Sequence, residues 1–135
     1  MKIVLDTNVL IAAFISPSGR SHELLERCAT FHVIVCSEFI LEELRDKLVN
    51  KFKRDSPDVE SAIDLLRTRI QLVVPTSLEQ PISRDPKDDP ILGTAIAGEA
   101  EQIITGDKDL LSLESYLGIK IVKPGEFLTE DESEK

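Results

Sequence analysis

Lys2-Ile3-Val4-Leu5-Asp6-Thr7-Asn8 begins with an unbroken apolar run that ends on a carboxylate. A strand with one wet face alternates apolar and polar side chains, whereas an uninterrupted run suits a strand covered on both faces, as in a parallel sheet. Short runs of the same kind recur at Val33-Ile34-Val35, Leu72-Val73-Val74, Ile103-Ile104 and 119–122. Helical patterns lie between them. Arg20 to Cys28 follows a Ser/Pro/Gly loop. Ser37 stands where a cap belongs, ahead of an apolar stripe of helical period formed by Ile40, Leu41, Leu44, Leu48 and Phe52. Ser56-Pro57-Asp58 reads as a cap, a proline at the first helical position and an early acid, opening a helix that ends near Arg69. Asp89-Pro90 opens another, with Ile91, Leu92, Ala95 and Ile96 on one face, and 109–113 add a helical turn. Strands and helices that alternate in this way need crossover connections. The expected fold class is therefore α/β, a three-layer α/β/α domain around a parallel sheet of five strands. It is expected to span residues 1–128. Residues 129–135 read as an acidic tail, with Glu130-Asp131-Glu132-Ser133-Glu134 frayed.

The chain has 135 residues, the size of one domain. Hydrophobic residues are 41% and charged residues 30%, which suits a soluble globule that needs no disulfide or metal staple. Aromatic residues are only 4% and Trp is absent, so a carbohydrate platform or an aromatic cage is disfavoured. No apolar run approaches the roughly 20 residues of a membrane span. Asp6 and Asn8 interrupt the N-terminal apolar stretch, and Ser16-Pro17-Ser18-Gly19 is not a small-x-small cleavage site, so a cytoplasmic location is expected. Cys28 and Cys36 read as free, half-buried thiols, and with only His22 and His32 a Cys/His zinc site is close to excluded. The net charge of −9 argues against a passive nucleic-acid coat, because affinity for phosphate backbones comes from cations. It is compatible with an enzyme whose carboxylates hold a metal.

The placement of the acids then matters. Asp6 is the first residue past the first strand, and Asn8 lies two further on. Asp107 follows Ile103-Ile104-Thr105 by two, with Asp109 close behind and Gly106 allowing a tight turn. In a parallel sheet, strand ends of one polarity share an edge, so Asp6 and Asp107 meet if their strands are neighbours. Asp88 heads the stripe of Leu92 and Ala95 and is aimed along the same edge, while Asp89 fits an N-cap before Pro90. On the second helix Glu43 lies at the margin of the apolar stripe and Glu42 faces water. Carboxylates gathered without cations repel one another and should not all ionise. A hard divalent cation resolves this, and oxygen-only ligands point to Mg²⁺ or Mn²⁺.

Asp-Thr-Asn-Val-Leu at 6–10, Glu-Glu-Leu at 42–44, Asp-Asp-Pro-Ile-Leu at 88–92 with Ala95, and Thr-Gly-Asp-Lys-Asp-Leu-Leu at 105–111 resemble the motifs of PIN domains. The similarity is strongest to single-domain prokaryotic proteins described as toxin components of toxin–antitoxin systems. The resemblance covers residues 1 to about 128, and the order and spacing of the motifs carry it. It implies a sheet of strand order 3-2-1-4-5 and a metal-dependent ribonuclease. The family's catalytic acids fall on Asp6, Glu43, Asp88 and Asp107, and its metal ligands on Asp6, Asp88, Asp89, Asp107 and Asp109. Asn8 and Thr105 take the supporting polar positions. Counting back from Asp107 selects Asp89 as the third acid, whereas helix phase and the Leu92/Ala95 match select Asp88. The resemblance also implies an RNA substrate, an antitoxin protein as partner, and a homodimer.

The expected reaction is hydrolysis of an RNA phosphodiester by water with Mg²⁺ or Mn²⁺. No Ser, Cys or His nucleophile arrangement is evident. A phosphoryl-aspartate phosphatase also places an acid at the end of a first strand, but needs a second acid where this chain has Asn8. Arg45, Lys47, Lys51, Lys53 and Arg54 are five bases in ten residues, and Arg20 lies beyond the first strand. Arg20, Arg45 and Lys51 are the candidates for RNA contact, against the plain reading of a solvated helix face. The rival function is a catalytically inert PIN-like binding module that acts through protein or RNA partners.

Overall fold

β1 (Lys2–Leu5) is the central strand, and Ile3, Val4 and Leu5 are at most 1% exposed. The computed structural model describes residues 1–78, 80–82 and 85–133. β1 pairs in parallel with β2 (Val33–Cys36) on one side and β4 (Gln102–Ile104) on the other, Val4 standing opposite both Val35 and Ile103. β3 (Ile70–Leu72) adds to β2, and β6 (Ile119–Val122) to β4, again in parallel. Covering β1 on both faces is what its unbroken apolar run requires.

The helices are α1 (Thr7–Ile15), α2 (Arg20–Phe31), α3 (Glu38–Asp46), α4 (Ser56–Arg67), α5 (Asp89–Ala97), α6 (Lys108–Leu111) and α7 (Pro124–Ser133). The fold is α/β with a mostly parallel sheet, as expected, but the sheet has six strands in the order β3-β2-β1-β4-β6-β5. The added strand, β5 (Ser115–Tyr116), pairs antiparallel with β6 through a turn at Leu117 and Gly118, both with positive φ. A leucine in that left-handed position conceals the hairpin, because such turns are ordinarily marked by Asn-Gly or Asp-Gly. The other five strands keep the expected order.

Other boundaries moved for local reasons. α1 carries buried Val9, Leu10, Ile11 and Ala13, a helix apolar on too many sides to show a periodic stripe. β3 lies two residues earlier than the expected 72–74, paired with Ile34–Cys36, and Val74 is left exposed beyond the sheet. Asp55, not Ser56, flanks the start of α4. Ser37 does precede α3, yet its hydroxyl accepts a hydrogen bond from Thr94 on α5 at 2.9 Å instead of capping. α3 runs on into a π-helical turn at Lys47–Lys51.

The acidic end is ordered. α7 continues to Ser133, and Asp131 is buried. Its carboxylate is ion-paired with Arg27 of α2 and hydrogen-bonded to His32 Nε2 at 3.0 Å. The expected fraying of 130–133 is thereby corrected: one acid in a solvated-looking run has two partners, a guanidinium and an imidazole, more than ninety positions away. Glu134, the last residue of that run, lies outside the described residues. Cys28 and Cys36 are free and fully buried rather than half-buried, and burial pushes each thiol up to about 12, so neither is reactive.

Candidate active site

Asp6 occupies the step from strand to helix. Its N–H donates to Ile104 O at 3.0 Å, extending the β1–β4 pairing, and its carbonyl accepts from Val9 and starts α1. The carboxylate is thereby held at the carboxyl edge of the sheet, where ligands of parallel sheets bind. Thr105, the residue after β4, is fully buried and joins two acids. Its hydroxyl donates to Asp6 Oδ2 at 2.7 Å and accepts the Asp107 N–H at 2.9 Å. Asp107 Oδ1 in turn accepts the Asp109 N–H at 3.2 Å and caps α6. Gly106 is not demanded sterically, since its φ is not positive and an added Cβ would meet no atom within 4 Å.

A cleft of about 210 Å³ opens at this edge, lined by Asp6, Asn8, Glu43, Lys47, Asp85, Asp88, Ile91 and Asp107. Asp88 reaches it from a short 3-10 turn (Pro86–Asp88) that leads into α5, its N–H donating to Asp85 O at 2.9 Å. This turn shifts the helix start by one residue. Asp88 rather than Asp89 flanks the helix, and Asp89 Oδ1 instead accepts the Ile82 N–H at 3.3 Å. Carboxylate oxygens of Asp88, Asp107 and Asp109 lie within 4.8 Å of one another, with Asp88 buried and the other two half-buried. Asp6 and Glu43 face the same cleft without belonging to that tight trio.

Burial pushes the Asp6 carboxyl above its ordinary value of 3.8. The Thr105 hydroxyl and the Thr7 N–H oppose this, and the negative charges of Asp107 and Glu43 reinforce it. Among the described residues lining it, the pocket sets five carboxylates, Asp6, Glu43, Asp85, Asp88 and Asp107, against one cation, Lys47, and the acids offer oxygen donors. Such a set fits a hard divalent cation and does not fit zinc held by Cys and His.

A profile of the PIN domain matches residues 2–109. The chain belongs to the PIN domain family. An uncharacterized protein of Methanocaldococcus jannaschii is 31% identical over 98% of this chain and 92% of its own length. The fold is also that of VapBC2 from Rickettsia felis, solved bound to a DNA fragment from their promoter. That match has a TM-score of 0.65 and 20% identity, and covers 91% of this chain and 98% of the other. VapC20 of Mycobacterium tuberculosis, described as a Sarcin-Ricin loop cleaving toxin, matches with a TM-score of 0.54 and 16% identity over 87% of this chain and 98% of its own.

Of the residues singled out from the sequence of this PIN domain, Asp6, Asn8, Glu43, Asp88 and Asp107 line one cleft, Asp109 joins the acid trio, and Thr105 supports from beneath. Asp89 stands apart, tied to the loop. Arg45 is ion-paired with Glu60 of α4, and Arg20 is exposed at the start of α2; neither is among the residues lining the cleft. Lys51 lies one turn beyond the cleft, beside Lys47. Lys47 and Asp85 are cleft residues that motif reading passed over. Lys47 was one of five clustered bases, and only its spacing of four from Glu43 marks it. Asp85 sits upstream of any helical phase that could aim it.

Proposed function

We propose that this PIN domain is a metal-dependent endoribonuclease that hydrolyses RNA phosphodiester bonds, and that it is the toxin member of a toxin–antitoxin pair. The observation that carries the reading is the trio Asp88, Asp107 and Asp109 within 4.8 Å, joined in one cleft by Asp6 and Glu43. Asp6, Asp88, Asp107 and Asp109 would hold Mg²⁺ or Mn²⁺, oxygen donors being what both ions prefer. A metal held by these residues would supply a water of lowered pKa and charge neutralisation at the phosphate. The chain's own residues do the rest. Thr105 orients Asp6 through its hydrogen bond, Glu43 of the cleft would accept a proton from the attacking water, and Lys47 would offer the phosphate the one cation among the described cleft residues. Asn8 can donate to a phosphate or ribose oxygen from the cleft rim.

The cleavage named for the Mycobacterium tuberculosis toxin supports RNA as the substrate class. The promoter-bound assembly of Rickettsia felis supports a protein partner that engages DNA. A homodimer and a cytoplasmic location belong to the same proposal; among the described residues no helix is long and apolar enough to cross a membrane.

The test is cleavage of labelled single-stranded RNA with Mn²⁺, with Mg²⁺ and with EDTA, beside an Asp6→Asn variant purified in parallel. Cleavage that needs metal and is lost in the variant upholds the reading. A wild type that binds RNA but never cuts it makes the chain a binding module instead.

A further inference from the structure

A second cleft of about 360 Å³ adjoins the acidic one and shares two residues with it, Asn8 and Lys47. That volume falls in the range of roughly 300–1,000 Å³ typical of small-ligand pockets. Its character is different. The floor is apolar, from Ile11 and Ile15 of α1 and the ring of Phe52, and its cations are Lys47 and Lys51. Both lysines belong to the π-helical turn at Lys47–Lys51, closed by the Phe52 N–H donating to Lys47 O at 3.1 Å. The wider π turn carries roughly 4.4 residues, so positions four apart share a face, and such turns are frequent at functional sites. Lys51 Nζ lies 5.6 Å from the centroid of the Phe52 ring, which is 38% exposed.

Charge pairing divides the bases of this region: Arg45 is paired, whereas Lys47 and Lys51, like Lys53 and Arg54 after them, have no ion pair among the described residues, and of these four only Lys47 and Lys51 line this cleft. Arg45, Arg67 and Arg69 are neutralised by Glu60, Glu38 and Glu26. Among the described residues, Lys47 and Lys51 have no carboxylate within ion-pair distance. A chain of net charge −9 that keeps two unpaired ammoniums at the mouth of an apolar cleft is complementary to an anion with a flat apolar body. Single-stranded nucleic acid has that chemistry, because bases stack on aromatic rings while lysines follow the phosphates.

We infer that this cleft is the subsite for the nucleotide adjoining the scissile phosphate of a single-stranded RNA. Phe52 forms the platform for its base, Lys51 holds its outer phosphate, and Lys47 spans the two clefts. The inference rests on the ribonuclease reading and extends it from chemistry to substrate selection: unpaired RNA is admitted, and a duplex, whose bases cannot splay, is not.

The experiment uses the full chain with Mn²⁺ and a twelve-residue single-stranded oligoribonucleotide carrying 2-aminopurine on one side of the cleavage point, then on the other. Phe52→Ala and Lys51→Ala are compared with wild type and with Lys120→Ala, which removes an equal charge from an exposed position near the amino end of β6 that lines neither cleft. Phe52→Ala is expected to raise KM about tenfold and to abolish the 2-aminopurine quenching on one side only, with kcat held within about twofold. Lys51→Ala is expected to raise KM and to reduce the slope of log affinity against log salt by about 0.7. Lys120→Ala should do neither. A wild type that cleaves, with both variants at wild-type KM and quenching, overturns the subsite and leaves the ribonuclease reading standing. A wild type with no metal-dependent cleavage overturns both.

Discussion

Replacing Asp107 by Asn should make the metal-free protein more stable while destroying its response to metal. The reason is electrostatic. In the trio of Asp88, Asp107 and Asp109 the carboxylate oxygens lie within 4.8 Å. At that separation two unit charges repel by about 3.5 kcal/mol at an effective dielectric of 20 and by about 0.9 kcal/mol in bulk water. Asp107 and Asp109 are half-buried, so water screens them and the lower figure is the better guide. Asp107 has two such neighbours, and neutralising it should relieve about 2 kcal/mol. For a domain of this size that corresponds to a rise in Tm of about 7 °C. Asparagine keeps the shape and still accepts the Asp109 N–H, so the cap on α6 survives. Asp107→Ala relieves the same repulsion but loses the cap, at a cost of about 1 kcal/mol, and should gain about half as much. Thermal melting is followed in EDTA and again with MnCl₂ at increasing concentration. Wild type should gain about 2.7 kcal/mol at a hundredfold excess over Kd, and Asp107→Asn little of it. The reasoning is refuted by an Asp107→Asn protein that melts at or below wild type in EDTA, or that keeps the wild-type shift with metal.

Asp6→Asn should lose RNA cleavage by about a hundredfold or more. Because the Asp6 carboxyl is raised above 3.8, the folded state holds that proton more tightly. Ionising it therefore costs stability as pH rises through its folded pKa, so at pH 7 the variant should melt at or above apo wild type, with the difference vanishing in acid below about pH 4. Asp131→Asn should destabilise by about 3 kcal/mol, because it strands Arg27 in a partly buried site. Burial raises the Asp131 carboxyl, but the hydrogen bonds and charges of Arg27 and His32 outweigh this and lower it. Its contribution is thus present above about pH 4 and lost as pH falls through the lowered folded pKa; acid titration of wild type against Asp131→Asn checks this. Gly93→Ala should cost about 2 kcal/mol in urea unfolding, since the new Cβ would sit 2.3 Å from the Thr76 carbonyl oxygen.

Much of the scaffold was legible in advance because parallel strands are buried on both faces and therefore write continuous apolar runs. Those runs located β1, β2, β4 and β6, and the acids that end β1 and follow β4 could be assigned to one edge. Motif order and spacing were enough to name the PIN family, and single-residue positions such as Asp6, Asn8 and Thr105 came with it. Helix phase aimed Asp88 at that edge but could not exclude Asp89. The 3-10 turn before α5 puts Asp88 among the residues lining the cleft, while Asp89 Oδ1 accepts the Ile82 N–H. Pairings between distant segments leave no local trace. Asp131 looked like one solvated acid among several until the fold set Arg27 and His32 against it, and Arg45 looked available to RNA until Glu60 of α4 neutralised it. Lys47 and Lys51 stayed two bases in a basic run until a π turn put both on one cleft. Periodicity records what each side chain must be buried from; which charge meets which is set only when the chain closes, since Coulomb and hydrogen-bond partners are chosen by distance in space.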